Sequence, residues 1–463
     1  MRGVRPRSWR APVIHRERLA ALLGRERDSF GERHPRSRAA YREAGANLLG
    51  NVPMTWMNKA AGRFPVYLAE ARGASVVDLD GHRYVDLCLG DTAAMAGHSP
   101  EPVVAAVRRR YAEAGGATAM LPTEDAAWVG AELARRFGVP LWSFSLTATD
   151  ANRWAIRLAR LVTGRPKILV FNFCYHGTVD ESLVTAGGDG AAAREGNVGP
   201  PVDPAATTRV VEFNDLDALD RELANGDVAC VLMEPALTNI GIVLPAPGYL
   251  AGVRELTRRH GTLLINDETH TLSAGPGGCT LAWGLEPDLV TVGKAIAGGI
   301  PAGAYGVSHE VAGRVAARRD ADLVDTGGVG GTLAGNALSV AAMRATLEQV
   351  LTDEAFEHMI ALGTRFTDGV QGVLDACQVP WSVVQLGARA EYRFTSPAPV
   401  NGGQSAAAGD DQLDDYLHLY LHNRGVLLTP FHNMALMCPA TTEADVDRHT
   451  EVFGAAVAEL VGG

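Results

Sequence analysis

Three lysines, Lys59, Lys167 and Lys294, supply every side-chain primary amine in this sequence of 463 residues. A lysine amine can form a Schiff base with a carbonyl group and later carry a proton. Lys294 follows the apolar run 289–292 and precedes a small, glycine-bearing turn at 295–301, which would let a cofactor approach the backbone. Lys59 lies in an irregular segment, and Lys167 precedes its apolar run. The spacing therefore favours Lys294 as a Schiff-base lysine.

Asp267 is the second residue whose position indicates chemistry. It follows the apolar run 262–265, where an unpaired carboxylate would be costly to bury. A protonated pyridine nitrogen would compensate the charge, and pyridoxal 5′-phosphate (PLP) uses such a ring as an electron sink. A helix N-cap or a turn residue is the alternative explanation for an aspartate at this point. Together, Lys294 and Asp267 indicate PLP chemistry.

A bound PLP would need contacts for its phosphate and its ring. The segment 147–151 (TATDA) opens a helix predicted to begin near Ala151, so its backbone N–H groups suit an anion, although such residues also serve as simple caps. Tyr175 follows the apolar run 167–173 and can stack on a ring. His176, beside it, is either a cofactor contact or a structural neighbour.

The elements that would position these residues follow from the apolar runs. Between about residues 100 and 340, helical stretches alternate with short, fully apolar runs at 167–173, 228–233, 262–265 and 289–292. This alternation predicts an α/β fold whose mostly parallel, doubly wound sheet is covered by helices on both faces. Ligands bind such sheets beyond the C-terminal ends of the strands. Polar residues that follow the runs are therefore expected to share one site.

The chain ends are predicted to be organised differently. Residues 1 to about 45 are expected to be charged helix, and the alternation at 66–88 predicts a small antiparallel meander. The Gly-, Ala- and Ser-rich segment 399–411 is expected to be a surface loop. We predict three parts: 1–98, an N-terminal helical extension with the meander; 99–340, a large PLP-binding domain; and 341–463, a C-terminal small α+β domain.

The charge and the cysteine content of the chain restrict the kinds of partner molecule and compartment that we expect. The net charge is −11, from 42 basic and 53 acidic residues, so neither nucleic acid nor an anionic membrane is expected as a partner. The six cysteines are scattered without a C-x-x-C pair, which predicts no disulfides, no metal site and a reducing cytoplasm. No apolar run reaches the roughly 18 residues that span a bilayer, and the N-terminus lacks an apolar signal region.

The ordered segments resemble those of class III aminotransferases, PLP enzymes of fold type I, near the branch of glutamate-1-semialdehyde aminomutases and β-amino-acid aminotransferases. The resemblance runs from about residue 66 to 452. Its most specific segments are CYHG at 174–177, MEPA at 233–236, INDETHT at 265–271, PDLVTVGKAIAGGIPAGAYG at 287–306 and GTLAGNALSVAA at 331–342. It implies a large sheet domain and a small α+β domain built from both chain ends.

The resemblance also implies roles for single residues. Lys294 would form the Schiff base, and Asp267 would pair with the pyridine nitrogen. Thr269 and Tyr175 would cover the two faces of the ring. Further implied cofactor contacts are Ala148 and Thr149 at the phosphate, His176 and His270 near the ring, and Asn239 in the pocket. In relatives, the threonine that matches Thr332 reaches the phosphate bound by the partner subunit. Thr332 therefore implies a homodimer with shared sites.

Three positions depart from the family pattern. The phosphate segment usually reads Ser-Gly-Thr-Glu-Ala, whereas residues 147–151 read Thr-Ala-Thr-Asp-Ala. Asp91 stands where relatives carry an aromatic or amide residue, and it either meets a cationic or hydroxylated substrate or caps a turn. The segment 431–434 (FHNM) lacks the glutamate of the aminomutases, which counts against an aminomutase.

Substrate recognition would require further side chains. A substrate carboxylate calls for an arginine fork. Arg389 occupies the region where β-amino-acid aminotransferases place such a residue, and Arg393 on the same strand face is the alternative. Trp56, in the irregular stretch 45–64, is expected to contact the substrate from a loop that folds over the pocket.

We therefore predict a PLP-dependent aminotransferase that moves an amino group from an amino-acid donor to a keto or aldehyde acceptor in a ping-pong reaction on Lys294. Lys294 would act as base and then acid, with Asp267 and Tyr175 as catalytic partners. An aminomutase or amino-acid epimerase of the same fold is the alternative. A decarboxylase and a non-catalytic binding protein stay open, because fold alone does not fix the chemistry.

Overall fold

The computed structural model of the protein describes residues 14–188, 190–318 and 328–462. Residues 1–13 of the predicted N-terminal helix therefore lie outside the described residues. Two helices follow, α1 (Arg16–Arg33) and α2 (Pro35–Ala44). Leu19, Leu23 and Phe30 form a buried stripe on α1 at helical spacing, which directs one face of the helix toward the core.

The predicted meander consists of three short strands, β1 (Leu68–Arg72), β2 (Ser75–Asp78) and β3 (Arg83–Asp86). Adjacent strands pair antiparallel. The turn between β2 and β3 requires a positive φ, and Gly81 adopts 90° there. The antiparallel prediction for this segment is confirmed.

In the middle of the chain, the described residues form nine strands. They are β4 (Leu141–Ser145), β5 (Lys167–Phe171), β6 (Val184–Gly187), β7 (Gly190–Ala193), β8 (Thr208–Val211), β9 (Val228–Met233), β10 (Leu263–Asp267), β11 (Leu289–Gly293) and β12 (Gly303–Val307). β6 and β7 form a separate hairpin. The other seven make one sheet in the order β4-β12-β11-β10-β9-β5-β8.

The central sheet is mostly parallel. β11, β10, β9, β5 and β8 run in the same direction, and β12 is antiparallel to both of its neighbours. Every residue of β9, β10 and β11 is buried, as expected for strands that are covered on both faces. The predicted α/β class is therefore confirmed.

The helices of this region are α3 (Glu101–Arg108), α4 (Glu124–Phe137), α5 (Ala148–Thr163), α6 (Leu216–Leu223), α7 (Tyr249–Arg259), α8 (Gly278–Ala282), α9 (His309–Ala316) and α10 (Ala337–Gln349). α5 begins at Ala148, three residues before the predicted start near Ala151. The reason is local, because the hydroxyl of Thr147 accepts a hydrogen bond from the backbone N–H of Asp150 at 3.1 Å and caps the helix.

The C-terminal part contains α11 (Asp353–Cys377), β13 (Ser382–Leu386), β14 (Arg389–Arg393), α12 (Gly402–Ala407), α13 (Asp411–His422), β15 (Val426–Leu427), β16 (Met434–Leu436) and α14 (Glu443–Val461). β13, β14 and β16 form an antiparallel sheet. β15 pairs with β3, so the two chain ends share a sheet. The three-part division at 98 and 340 stays a prediction.

Two further expectations concern this architecture. α12 lies within the segment 399–411, which was wrongly expected to be a loop. Asn401 caps that helix, since its side chain accepts from the backbone N–H of Gln404 at 2.9 Å. Among the residues that the structure describes, no helix is long and apolar enough to cross a membrane.

Candidate active site

A cavity of about 350 Å³ lies where β10 and β11 end and α5 begins. This is the edge at which a doubly wound sheet binds ligands. The cavity brings together residues that are far apart in the sequence, among them Trp56, Ala148, Thr149, Tyr175, Glu234, Asp267, Thr269, His270 and Lys294. Most of the residues that the sequence singled out for a cofactor therefore line one space.

Lys294 is the first residue after β11, and its backbone adopts φ 51°. A positive φ is uncommon for a lysine and aims the side chain away from the strand direction. Its Nζ lies 2.7 Å from Oδ2 and 3.0 Å from the backbone oxygen of Asp91, and 2.5 Å from Nε2 of His270. The amine is thus held in the cavity by two side chains and one carbonyl.

Asp267 is the last residue of β10 and is buried. Its Oδ2 accepts from Nδ1 of His176 at 2.9 Å and from the amide of Asn152 at 2.8 Å, and its Oδ1 accepts from the backbone N–H of Thr269 at 3.0 Å. Burial alone raises the pKa of Asp267, but the hydrogen bond and charge of His176 bring that pKa below its ordinary value. The carboxylate is therefore kept ionised.

His176 is hydrogen-bonded to the carboxylate of Asp267. The ring is buried, and burial alone lowers the pKa of His176. Its neighbours Cys174 and Asp267 reverse this effect and raise the pKa well above the ordinary value. A protonated ring donates from Nδ1 to Asp267, which fixes the carboxylate's orientation. This geometry supports the structural alternative for His176, since His176 does not line the cavity.

The start of α5 faces the cavity with Ala148 and Thr149. The first N–H groups of a helix have no partner within it and attract anions. The hydroxyl of Thr149 accepts from the N–H of Thr178 at 3.1 Å, so its hydrogen is free to donate. A Cβ at Gly293 would lie 2.9 Å from Cβ of Ala148, so glycine permits the close contact between the end of β11 and this helix.

Aromatic and branched side chains flank the remaining space. Tyr175 and Trp56 both line the cavity, and their ring centroids lie 5.6 Å apart. Burial raises the pKa of the Tyr175 phenol, which keeps it protonated near neutral pH. Thr269 is buried, and its hydroxyl has no hydrogen-bond partner among the described residues. A flat ring between Tyr175 and Thr269 matches these positions.

The residues present fit PLP. The carboxylate of Asp267 accepts three hydrogen bonds, and a carboxylate has about four acceptor positions, so one remains for a ring N–H. A helix start offers the phosphate its N–H donors, and Lys294 supplies an amine in the same cavity. These three groups, which line one cavity, match the ring nitrogen, the phosphate and the carbonyl of the cofactor.

Six predicted residues do not line this cavity: Asp91, His176, Asn239, Thr332, Arg389 and Arg393. Arg389 is 1% exposed and donates to the hydroxyl of Thr92, with no contact to the cavity surface. Arg393 donates to the backbone oxygen of Ser405. Neither Asn239 nor its neighbour Thr238 lines the cavity. Thr238 reaches the site through His270, because its hydroxyl lies 2.8 Å from Nδ1 of His270.

Thr332 is another of these residues, and it is exposed. It lies on a turn before α10 and contributes nothing to the cavity of its own chain. An exposed position is compatible with the predicted contact to a partner subunit. The role of Thr332 stays a prediction.

Sequence reasoning missed three residues of the site, Asn152, Glu234 and Thr238. Asn152 lies on the buried face of α5 with Ala155 and Ala159, and a polar residue in such an apolar stripe was the available signal. Glu234 stands directly after β9, at the strand end that predicts a ligand site. Thr238 follows in an irregular segment, where no sequence pattern indicated its contact with His270.

Comparisons with known proteins agree with this chemistry. The family model for class III aminotransferases matches residues 56–457. Glutamate-1-semialdehyde 2,1-aminomutase of Chloroflexus aggregans is 35% identical over 449 residues, covering 93% of this chain and 99% of that protein. The crystal structure of a glutamate-1-semialdehyde aminomutase from Pseudomonas aeruginosa PAO1 is 50% identical, has a TM-score of 0.93, and covers 96% of this chain and 99% of its own.

Two further solved structures extend the comparison. A lysine-to-alanine variant of the Pseudomonas protein, solved in complex with PMP, matches at 50% identity and a TM-score of 0.94, with the same coverage of both chains. A β-phenylalanine aminotransferase from Variovorax paradoxus is 26% identical with a TM-score of 0.82, covering 94% of this chain and 97% of its own. The predicted family resemblance, fold type I architecture and PLP cofactor are confirmed, and the chain belongs to the class III aminotransferase family.

Proposed function

We propose that the protein is a PLP-dependent aminomutase, which moves an amino group between neighbouring carbons of one small molecule. The observation that carries this proposal is similarity along nearly the whole chain to glutamate-1-semialdehyde aminomutases, with Lys294 and Asp267 intact. The sequence analysis named an aminomutase as the alternative and preferred an aminotransferase that acts on two molecules. The comparisons support the PLP-dependent enzyme of the class III family in that preferred prediction, but not the transfer between two molecules.

Bound PLP supplies a carbonyl that links to amines and a ring that accepts the electrons released when a C–H bond breaks. Lys294 would provide the amine that holds the cofactor, and its free amine would move a proton between two carbons of the substrate. Asp91 and His270 both contact Nζ of Lys294. Those two contacts fix the position of the amine in the cavity.

Asp267 acts on the ring nitrogen. Its carboxylate is held ionised by His176 and oriented by Asn152 and the N–H of Thr269. An ionised, fixed carboxylate keeps the ring nitrogen protonated, so the released electrons are accepted without reorganisation of the site. The N–H groups at the start of α5 and the hydroxyl of Thr149 anchor the phosphate.

Trp56, from the irregular N-terminal segment, and Tyr175, which follows β5, both line the cavity, with ring centroids 5.6 Å apart. Trp56 also contacts Phe431, with ring centroids 5.6 Å apart. An aminomutase must retain its intermediate between two steps, and aromatic side chains that exclude water suit this requirement.

The experiment that tests the proposal supplies glutamate-1-semialdehyde to protein loaded with PMP, without any keto acid. We expect many turnovers per active site to the isomer that carries the amino group on C1 and the carbonyl on C2. Chromatography measures the amount of this product over time. Activity that appears only when a separate amino donor and acceptor are both supplied would replace the proposal with a transaminase. No conversion under either condition would show that glutamate-1-semialdehyde is not the substrate.

A transaminase is the second candidate, and two observations favour it. The segment 431–434 lacks the glutamate that the family resemblance implies for aminomutases, and Asn433 donates to Asp414 at 2.6 Å. The β-phenylalanine aminotransferase from Variovorax paradoxus also shares the fold over nearly the full chain. A panel of amino donors, tested with and without an acceptor, separates the two reactions.

We also propose a homodimer in the cytoplasm. Exposed Thr332 supports a shared site, because the family resemblance gives this threonine a contact with the partner subunit's phosphate. All six cysteines are unpaired, which suits a reducing compartment. Sedimentation equilibrium of the loaded protein tests the assembly, and a monomer at micromolar concentration would reject it.

A further inference from the structure

The amine of Lys294 lies among three hydrogen-bond acceptors. Oδ2 and the backbone oxygen of Asp91 lie 2.7 and 3.0 Å from Nζ, and Nε2 of His270 lies 2.5 Å from it. A lysine ammonium has three hydrogens to donate. The three contacts match the three hydrogens of an ammonium group, and an ammonium must lose a proton before it can act as a base.

A continuous chain of hydrogen-bonding groups leads away from this amine. Nδ1 of His270 lies 2.8 Å from the hydroxyl of Thr238, and that hydroxyl is hydrogen-bonded to Oε2 of Glu234. His270, Thr238 and Glu234 are all buried. Such a chain connects Nζ of Lys294 to a carboxylate that also lines the cavity.

We propose that His270, Thr238 and Glu234 form a proton relay that takes a proton from Nζ of Lys294 and returns it during the reaction. The relay rests on the proposed role of Lys294 and deepens it. In the starting state, Lys294 donates to Nε2 of His270, Nδ1–H of His270 donates to Thr238, and Thr238 donates to ionised Glu234.

In the second state each proton has moved one group along. The lysine proton bonds to Nε2, the Nδ1 proton moves to the oxygen of Thr238, and the hydroxyl proton of Thr238 moves to Oε2 of Glu234. Lys294 becomes a neutral amine, Glu234 a neutral acid, and His270 ends neutral in its other tautomer. One proton and one positive charge leave Lys294, and one negative charge on Glu234 disappears.

The pKa shifts of His270 and Glu234 favour proton transfer from Lys294 toward Glu234. Burial raises the pKa of Glu234, so this carboxylate accepts a proton more readily than an exposed glutamate does. Burial and the nearby positive charge of Lys294 bring the pKa of His270 well below its ordinary value, although Asp91 opposes this effect. His270 therefore passes the proton on, and Glu234 stores it.

The test uses the visible absorbance of the cofactor-loaded protein without substrate, titrated from pH 5 to 10. Three variants are compared with the wild type: T238V removes the hydroxyl and keeps the shape, T238S keeps the hydroxyl, and E234Q removes the charge at the end of the relay. Circular dichroism and thermal unfolding establish that each variant is folded. Because the titration needs no turnover, it reports on the relay independently of which reaction is catalysed.

We expect T238V and E234Q to lower the pH midpoint of the spectral change by about one unit, because each removes support for the protonated nitrogen of Lys294. T238S should titrate like the wild type. The kcat of T238V should fall about tenfold or more with little change in KM, and T238S should restore it.

Wild-type midpoints in both T238V and E234Q would overturn the relay while leaving the cofactor assignment intact. If T238V fails to fold, E234Q alone decides the question. Absence of a visible band in the wild-type protein would reject the role of Lys294, and with it the relay. A midpoint shift in T238S equal to that in T238V would assign the effect to packing and also reject the relay.

Discussion

The carboxylate of Asp91 lies 2.7 Å from the amine of Lys294, although 203 residues separate them in the sequence. The contact joins the segment after β3 to the end of β11, and Asp91 adopts φ 51° to make it. Burial alone would raise the pKa of Asp91, but the charge of Lys294 above all brings it far below the ordinary value. Asp91 is therefore a charged partner of the lysine amine in the protein without cofactor.

Substituting Asp91 with asparagine should destabilise the cofactor-free protein by about 2 kcal/mol at pH 7, because a hydrogen bond to a charged group is lost. The folded pKa of Asp91 lies below its unfolded value of about 3.9, so this stabilisation is present above that pH and is lost as the pH falls. Urea unfolding of both proteins should show the same difference at pH 7 and pH 5 and a smaller one at pH 3.5. A difference that is constant with pH would contradict the ion pair.

Arg389 should prove structural. It is 1% exposed, and the charges of Asp91, Glu391 and Glu234 face it. R389M leaves these acids without a buried cation and should cost about 3–5 kcal/mol of unfolding free energy. The exposed Arg72 offers a matched control, and R72M should change stability by less than about 0.5 kcal/mol.

If Arg389 instead binds the substrate, as the sequence analysis expects, the opposite result follows. An arginine that binds the substrate's carboxylate would raise KM when replaced and leave stability unchanged. Thermal unfolding and steady-state kinetics of R389M therefore separate the two roles. A normal melting temperature with a raised KM would return Arg389 to the substrate site.

Asp267 should matter for the chemical step more than for cofactor binding. D267N keeps the shape but removes the charge that holds the ring nitrogen protonated, so kcat should fall about 100-fold or more. The phosphate contacts and Lys294 are unchanged, and PLP should stay bound. Steady-state rates and the visible spectrum of the variant check both parts, and a near-normal kcat would show that Asp267 does not serve the ring.

Thr332 tests the shared site. T332V should leave the fold stable, because the side chain is exposed, but it should weaken phosphate binding about tenfold or more if the residue reaches the partner subunit's cofactor. T118V, at another exposed threonine, is the control. Equilibrium dialysis with PLP measures the affinity, and equal affinities in the two variants would remove Thr332 from the site.

The parts of the site that follow strand ends could be predicted from the sequence. Asp267 is the last residue of the buried strand β10 and Lys294 comes directly after the buried strand β11, and parallel strands end at one edge of their sheet. That rule alone placed both in one cavity. The same rule would have included Glu234, which follows β9.

Side-chain contacts between irregular segments could not be predicted. Thr238 reaches His270 from a segment without periodicity, and only the three-dimensional path of the chain brings them to 2.8 Å. Arg389 lies on β14, which pairs with β13 and β16 and has every residue buried, and the sequence does not specify this pairing. The alternation of Arg389 and Arg393 was visible, but the burial of both was not.

The identity of the lysine that holds the cofactor is the central claim, and the scarcity of lysine allows a direct measurement. The protein is loaded with PLP, reduced with borohydride, digested and analysed by mass spectrometry. We predict that the reduced cofactor is attached to the peptide that contains Lys294 and is absent from peptides that contain Lys59 or Lys167. Attachment at either of those lysines, or no attachment at all, would contradict the account.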